Sequence, residues 1–334
     1  MSHAAHRPPA PSRAHRGPAF VALGGGHGLS ATLGALRHVT DRVTAVVTVA
    51  DDGGSSGRLR DELHVLPPGD LRMALSALCD DSDWGHLWRD VMQHRFSSDG
   101  PLDKHAVGNL LIVALWELLG DTVEGLDWVG RLLGARGRVL PMTTTALWIE
   151  ADVARADGRV ETVHGQRNLA VTTDDIRQVR LTPAEPAACP QALAAVTAAD
   201  WIVLGPGSWY TSVLPHLLVP ELREALLRRP ERLILTLNLS PEEQGETAGM
   251  RAEDYLAVLH EHAPELRFHA VVADPRAVED VGRLADACAA SGTRLLLRQV
   301  SRGDGTARHD PLRLASAFRD VIDGVLGDVG APVP

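Results

Sequence analysis

From Ala19 onward, short apolar runs alternate with longer amphipathic stretches, the pattern of repeated βαβ units. Ala19–Leu23 predicts a short strand that runs into Gly24-Gly25-Gly26-His27-Gly28. Ser30–His38 then reads as a helix, and the β-branched run Val43–Val49 as a second buried strand. That strand stops at Asp51-Asp52-Gly53-Gly54-Ser55-Ser56-Gly57-Arg58, which reads as a loop too polar and flexible for any element interior. Between about Asp70 and Ala135 the chain reads as helical throughout. Leu71, Ala74, Leu75 and Leu78 keep helical spacing after Gly69-Asp70, as do Val107, Leu110, Leu111, Ala114, Leu115 and Leu118. Ala146–Val153 and Val160–Val163 flank Ala156-Asp157-Gly158, a hairpin signal, and Gln178–Leu181 predicts a further strand. Strands resume at Trp201–Leu204, Leu233–Leu237, His269–Ala273 and Arg294–Val300, with helices near 251–262, 277–290 and 311–324.

The fold class that follows is α/β: a Rossmann-like, doubly wound, mainly parallel sheet with a helical insertion and a small β excursion. Residues 1–18, rich in Pro and polar side chains, read as a disordered tail. Residues 19–325 read as one α/β domain and 326–334 as a flexible C-terminus.

Composition narrows the function. The 334 residues carry 33 basic and 43 acidic side chains, a net charge of −10, which argues against a nucleic-acid-backbone binder. Cys79, Cys189 and Cys288 are far apart, which excludes a disulfide framework and fits a reducing, cytoplasmic setting. No run of 18 apolar residues predicts a membrane span. The basic N-terminus lacks the apolar core of a signal peptide.

Candidate chemistry lies where strands end, since ligands of doubly wound sheets bind outside the carboxyl ends of the strands. Gly24, Gly25, Gly26 and His27 form a first candidate phosphate loop, with backbone N–H groups and a helix N-terminus to face an anion. The spacing is not GxGxxG, and no GK[ST] follows, so neither a dinucleotide fingerprint nor a P-loop is present. Asp51 and Asp52 stand where a dinucleotide fold places its ribose-binding acid; they also suit Mg²⁺, or a solvated turn. Ser55, Ser56 and Arg58 add groups that can meet an anion. Gly205, Pro206, Gly207 and Ser208 form a second strand–glycine–helix junction, with Ser208 read as the N-cap of the helix that follows. Two such loops on one edge suit a ligand with two phosphates. Asp70, the His105 and Asn109 pair at i and i+4, and Asn238 at a strand end are weaker candidates.

Together GGGHGLS (24–30), VADDGGSSGRLR (49–60), PPGDLR (67–72), HAVGNLL (105–111), GPGSWYTSVLP (205–215), QGET (244–247) and RHDP (308–311) resemble the gluconeogenesis-factor family, within the CofD-like 2-phospho-lactate transferase superfamily. The resemblance spans about residues 19–325. It implies binding of a nucleotide sugar such as UDP-N-acetylglucosamine, and a role in cell shape and wall synthesis during gluconeogenic growth. Cell-wall synthesis proteins and a second copy of the chain are the protein partners to expect. The alternative it implies is a Mg²⁺-dependent transferase using a nucleotide-activated donor, with Asp52 and Asp70 as metal-binding acids. Arg308 would face the nucleotide sugar, although Gly303-Asp304-Gly305 predicts a hairpin that carries it away from the binding edge. Lys104 and Pro311 depart from the family pattern, and NLSPEEQGET is unlike the transferase branch. An NAD-dependent dehydrogenase, a third class, lacks both the fingerprint and a hydride-transfer constellation.

Overall fold

Phe20–Gly24 (β1) is apolar except for its last residue and buried on both faces, as a central strand of a parallel sheet requires. The computed structural model describes residues 17–155, 157–239, 246–247 and 249–325. After β1 come α1 (Gly26–Leu36) and β2 (Val43–Val47), then five helices: α2 (Gly54–Leu63), α3 (Gly69–Leu78), α4 (Asp83–Gln93), α5 (Val107–Leu119) and α6 (Thr122–Leu132). β3 (Arg138–Pro141) returns to the sheet. β4 (Trp148–Ala154), β5 (Val160–His164), α7 (Gln166–Ala170) and β6 (Asp175–Thr182) make the small β excursion. α8 (Pro190–Ala198) leads to β7 (Trp201–Leu204), two short turns over 209–217 and α9 (Pro220–Leu227). The chain ends through β8 (Leu233–Thr236), α10 (Ala252–His262), β9 (Ala270–Ala273), α11 (Val281–Ala290), β10 (Arg294–Leu297) and α12 (Pro311–Ile322).

The main sheet has seven strands in the order β10-β9-β8-β7-β1-β2-β3, every pair parallel. The direction of winding therefore reverses between β1 and β7. That pair is the topological switch point, and its carboxyl ends define the crevice where ligands of such sheets sit. The excursion is a separate antiparallel sheet, β5-β4-β6. Leu29, Leu33 and Leu36 of α1 and Leu71, Leu75 and Leu78 of α3 are buried, so these two helices seal one face of the sheet through the 3.6-residue stripe. Among the described residues no helix is long and apolar enough to cross a membrane.

Several sequence expectations need correction. The segment 51–58 is not a loop throughout, because α2 begins at Gly54. Its buried positions are Ser55, Ser56, Gly57, Leu59 and Arg60, so hydrogen bonds and close backbone packing hold it rather than an apolar stripe. A Cβ on Gly57 would stand 2.1 Å from the Asp52 carbonyl oxygen, an approach that only glycine permits. α1 starts at Gly26 and not at Ser30, inside the glycine run. The stretch 70–135 is broken by irregular chain over 94–106, where Arg95 and Ala106 form an isolated antiparallel bridge. β3 was not anticipated as a strand of the main sheet, and α11 starts at Val281, later than 277.

The expected tail 1–18 lies outside the described residues apart from Gly17 and Pro18, whose carbonyl accepts a 2.8 Å bond from the Thr40 hydroxyl. The expected C-terminal segment 326–334, and Gln244 and Gly245 of QGET, also lie outside them.

Candidate functional site

At the switch point the two glycine loops face each other across a cleft of about 810 Å³. Its walls are Gly25–Gly28 with Ser30 and Ala31 from the first loop and α1, and Pro206–Ser208 with Ser212 from the second. Asp70, Gln166, Asn238, Leu239, Arg302, Ala307–His309 and Pro311 complete it. Gly24 and Gly205 lie just beneath, as the last residue of β1 and the first after β7.

The loops are fitted to one another. A Cβ on Gly28 would lie 2.1 Å from the Pro206 carbonyl oxygen, so the first turn of α1 rests directly on the second loop. Thr32 on α1 donates a buried 3.0 Å bond to the Gly205 carbonyl. Gly26 (φ +55°) and Gly207 (φ +150°) take backbone conformations that a side chain would strain. Asn238, at the end of β8, clamps Gly207 from outside: its Oδ1 accepts from the Gly207 N–H at 2.9 Å and its Nδ2 donates to the Gly207 carbonyl at 3.0 Å. With two bonds lost, Asn238→Ala is expected to weaken ligand binding by ~10-fold while lowering Tm by only a few degrees, measurable by calorimetric titration beside a melting curve.

Ser208 stands at the N-cap position of the short turn over 209–213, but its side chain makes no capping bond. Its hydroxyl bonds to the Thr211 hydroxyl at 2.6 Å and to the Glu246 carboxylate, which also accepts from the Tyr210 N–H at 3.1 Å. Glu246 thus ties the loop after β8 to the loop after β7.

Arg308 lines the cleft, where the resemblance implies it, and it is the expected course of its hairpin that needs correction. Residues 301–309 do form a hairpin, with Ser301 bridged to His309 and the Arg302 N–H donating to the Arg308 carbonyl at 3.0 Å. That hairpin delivers Arg308 to the cleft instead of removing it, and brings Arg302 with it. Asp274, after β9, anchors its base by accepting from the Val300 N–H (2.9 Å) and the Ser301 N–H (2.8 Å). Neither Arg302 nor Arg308 is in an ion pair with a described residue, so two positive charges face the glycine loops. His309, also on the wall, is pushed down to about 4 by burial and is neutral at physiological pH.

The acids divide differently from the expectation. The Asp52 carboxylate accepts from the Arg167 N–H at 2.8 Å, at the start of α7, and does not line the cleft. Asp51, not Asp52, is the charge neighbour of Asp70. Burial and that neighbour raise Asp70 to about 7, while burial also raises Asp51. Among the described residues no group of three or more His, Cys, Asp or Glu is placed to hold a metal. Asp70 on the cleft wall, with Asp51 as its charge neighbour, is the acid pair that could hold a Mg²⁺, which takes one or two carboxylates and completes its shell with ligand oxygens and water.

Ser55 and Asn109 also stand away from the cleft lining. The Ser55 hydroxyl accepts from Asn109 Nδ2 (3.0 Å) and the Ala106 N–H (3.3 Å), which leaves its proton for His105 Nδ1 at 3.1 Å. Asn109 Oδ1 accepts from Arg72 Nε at 2.9 Å. This buried network joins α2, α3 and α5, and so positions α3 with its Asp70. The residues that sequence reasoning missed are Arg302, Gln166, Ser212 and His309. Arg302 had a signal, because it pairs with Arg308 across the Gly-Asp-Gly turn.

A parallel sheet with an anion-suited crevice at its switch point defines a broad class of ligand-binding α/β proteins, and comparison with known sequences narrows it. The chain belongs to the 2-phospho-L-lactate transferase (CofD) family, whose model matches residues 20–291. Within that family its relatives carry the gluconeogenesis-factor name. A protein from Mycobacterium tuberculosis, provisionally so named, is 52% identical over 325 residues, covering 94% of this chain and 92% of its own. The gluconeogenesis factor of Bacillus subtilis is 40% identical over 245 residues, covering 73% of this chain and 75% of its own. A crystal structure of a UPF0052-family protein from Bacillus halodurans superposes with a TM-score of 0.81 at 31% identity, covering 91% of this chain and 99% of that one.

Proposed function

We propose that the protein is a cytoplasmic UDP-sugar-binding regulator that couples the supply of nucleotide sugar to cell shape and wall synthesis under gluconeogenic growth. The observation that carries this reading is the meeting of Gly25–Gly28, Pro206–Ser208, Arg302 and Arg308 on one cleft. Backbone N–H groups and the α1 N-terminus suit phosphates, and two guanidiniums add the charge a diphosphate requires. The volume suits a ligand larger than a diphosphate alone. The gluconeogenesis-factor name of its relatives supports the physiological part.

The Asp51–Asp70 pair favours a second reading, a Mg²⁺-dependent transferase that uses a nucleotide-activated donor. Asp51 and Asp70 would hold the ion with the donor's phosphates, and the ion would supply electrostatic stabilisation of charge developing on them.

A thermal-shift panel separates these readings. UDP-N-acetylglucosamine and UDP-glucose are expected to raise Tm by several degrees at saturating concentration, with NAD giving no shift. The nucleotide sugar is expected to remain intact after incubation with Mg²⁺ and candidate acceptors. An NAD shift without a uridine-nucleotide response would sink the first reading. Nucleoside monophosphate release that disappears in Asp70→Asn would establish the second.

A further inference from the structure

The N-terminal turn of α1 separates the glycine cleft from a second one, of about 510 Å³, bounded by α1, α3 and α4. His27 and Ser30 line both. The second cleft has three arginines on its wall, Arg72 from α3, Arg89 from α4 and Arg95 just beyond α4, and among the described residues no carboxylate lines it. Asp70, the nearest acid along α3, lines the other cleft.

Among the described residues neither Arg72 nor Arg95 has a carboxylate within ion-pair distance, and Asp70 offsets Arg72 only from across the wall of the other cleft. Arg72 is buried, and its donors go to neutral oxygens, Asn109 Oδ1 at 2.9 Å and Gln93 Oε1. Arg95 donates to the Lys104 carbonyl at 2.8 Å. Among the described residues Arg89 pairs only with Asp90, 3.7 Å away and 77% exposed, a rim contact of small value. Burial and the Arg95 charge lower Arg72 to about 10 against the opposing pull of the Asp70 carboxylate, so it stays charged at neutral pH. A buried cation facing like charges costs free energy unless an anion offsets it.

Two further groups point to a ligand. Ser76 on the wall is 3% exposed, and its hydroxyl has no hydrogen-bond partner among the described residues. Gln93 has its oxygen committed to Arg72, which leaves its NH₂ as a donor. Met73 and Ala77 give the same cleft an apolar side. We propose that this second cleft binds a phosphate monoester of a small organic molecule, the phosphate held by Arg72, Arg89 and Arg95 and the organic part lying against Met73 and Ala77. Phosphate is favoured over carboxylate because a dianion with three equivalent oxygens engages several guanidinium forks at once. This inference does not depend on which nucleotide, if any, fills the glycine cleft.

The test is a calorimetric titration at constant ionic strength with three probes, phenyl phosphate, inorganic phosphate and benzoate. Each is run on the wild type, on the Arg89→Gln, Arg95→Gln double variant, and on Gly207→Val. The two arginines are at the rim, so the double variant should fold, which a melting curve verifies; Arg72 is left intact because it braces Asn109. Phenyl phosphate is expected to bind at least tenfold more tightly than either other probe. It should lose at least tenfold in the double variant and keep its affinity in Gly207→Val. Loss in Gly207→Val with the double variant unaffected would place the phosphate in the glycine cleft and overturn the proposal. So would equal affinity for benzoate, equal affinity for inorganic phosphate, or no binding of phenyl phosphate.

Discussion

Gly28→Ala is expected to lower affinity for UDP-N-acetylglucosamine by ~10- to 100-fold and to reduce Tm by several degrees. The added methyl carbon would stand 2.1 Å from the Pro206 carbonyl oxygen and 2.6 Å from the carbonyl carbon, where an ordinary contact needs well over 3 Å. Backbone on both sides must yield, because neither partner is the end of a flexible side chain. Overpacking of this kind costs ~1–3 kcal/mol, and here the strain falls on the seam between the two glycine loops. Gly34→Ala, on the same helix with nothing nearer than 3.9 Å, is the control and should bind as the wild type does. Calorimetric titration of both variants checks the result; unchanged affinity in Gly28→Ala would show that the two loops do not share one ligand.

Asp70→Asn is expected to stabilise the protein in a pH-dependent way. The folded carboxyl is raised from its usual 3.8 to about 7 by burial and by Asp51. Below about pH 4 both folded and unfolded chains carry the proton, and Asp70 costs nothing. Between pH 4 and 7 the folded chain holds a proton that the unfolded chain releases, so this group's contribution falls as pH rises. Above pH 7 the cost of holding the charged, half-buried carboxylate beside Asp51 is present, at most about 4 kcal/mol for a shift of this size and less where the cleft admits water. Melting curves should therefore show Asp70→Asn well above wild type at pH 8 and close to it at pH 4. The same variant reads out function: with the negative charge gone, a phosphate ligand bound without metal should bind more tightly at pH 8. If Mg²⁺ joins Asp70 to the ligand, it should bind more weakly.

The parts legible in the sequence were those encoded by local periodicity. The strands around Ala19–Leu23, Val43–Val49, Trp201–Leu204 and Leu233–Leu237 are buried on both faces and read as continuous apolar runs. Their glycine-rich ends gave the two loops, and the parallel order placed those loops together. α2 was not legible, because serine, glycine and arginine fill its inner face and the forces that hold it there are long-range hydrogen bonds. β3 escaped because Arg-Val-Leu-Pro is too short to show a period and ends in proline. The position of Arg308 depends on the path of a turn relative to a sheet whose order composition does not reveal. The identity of the acid beside Asp70 also resisted, since Asp51 and Asp52 are adjacent in sequence and the choice rests on which one Arg167 captures.

The arginine hairpin has a consequence for how the protein is made. The first glycine loop, Gly24–Gly28, is synthesised about 280 residues before Arg302 and Arg308. Until the hairpin emerges and Asp274 fastens its base, a nascent chain has the glycine loops without the guanidiniums that share their cleft. A ligand that needs both therefore discriminates between translated and half-translated molecules, and arrests at codons before 302 should yield chains that purify folded around β1 and β2 yet fail to retain it.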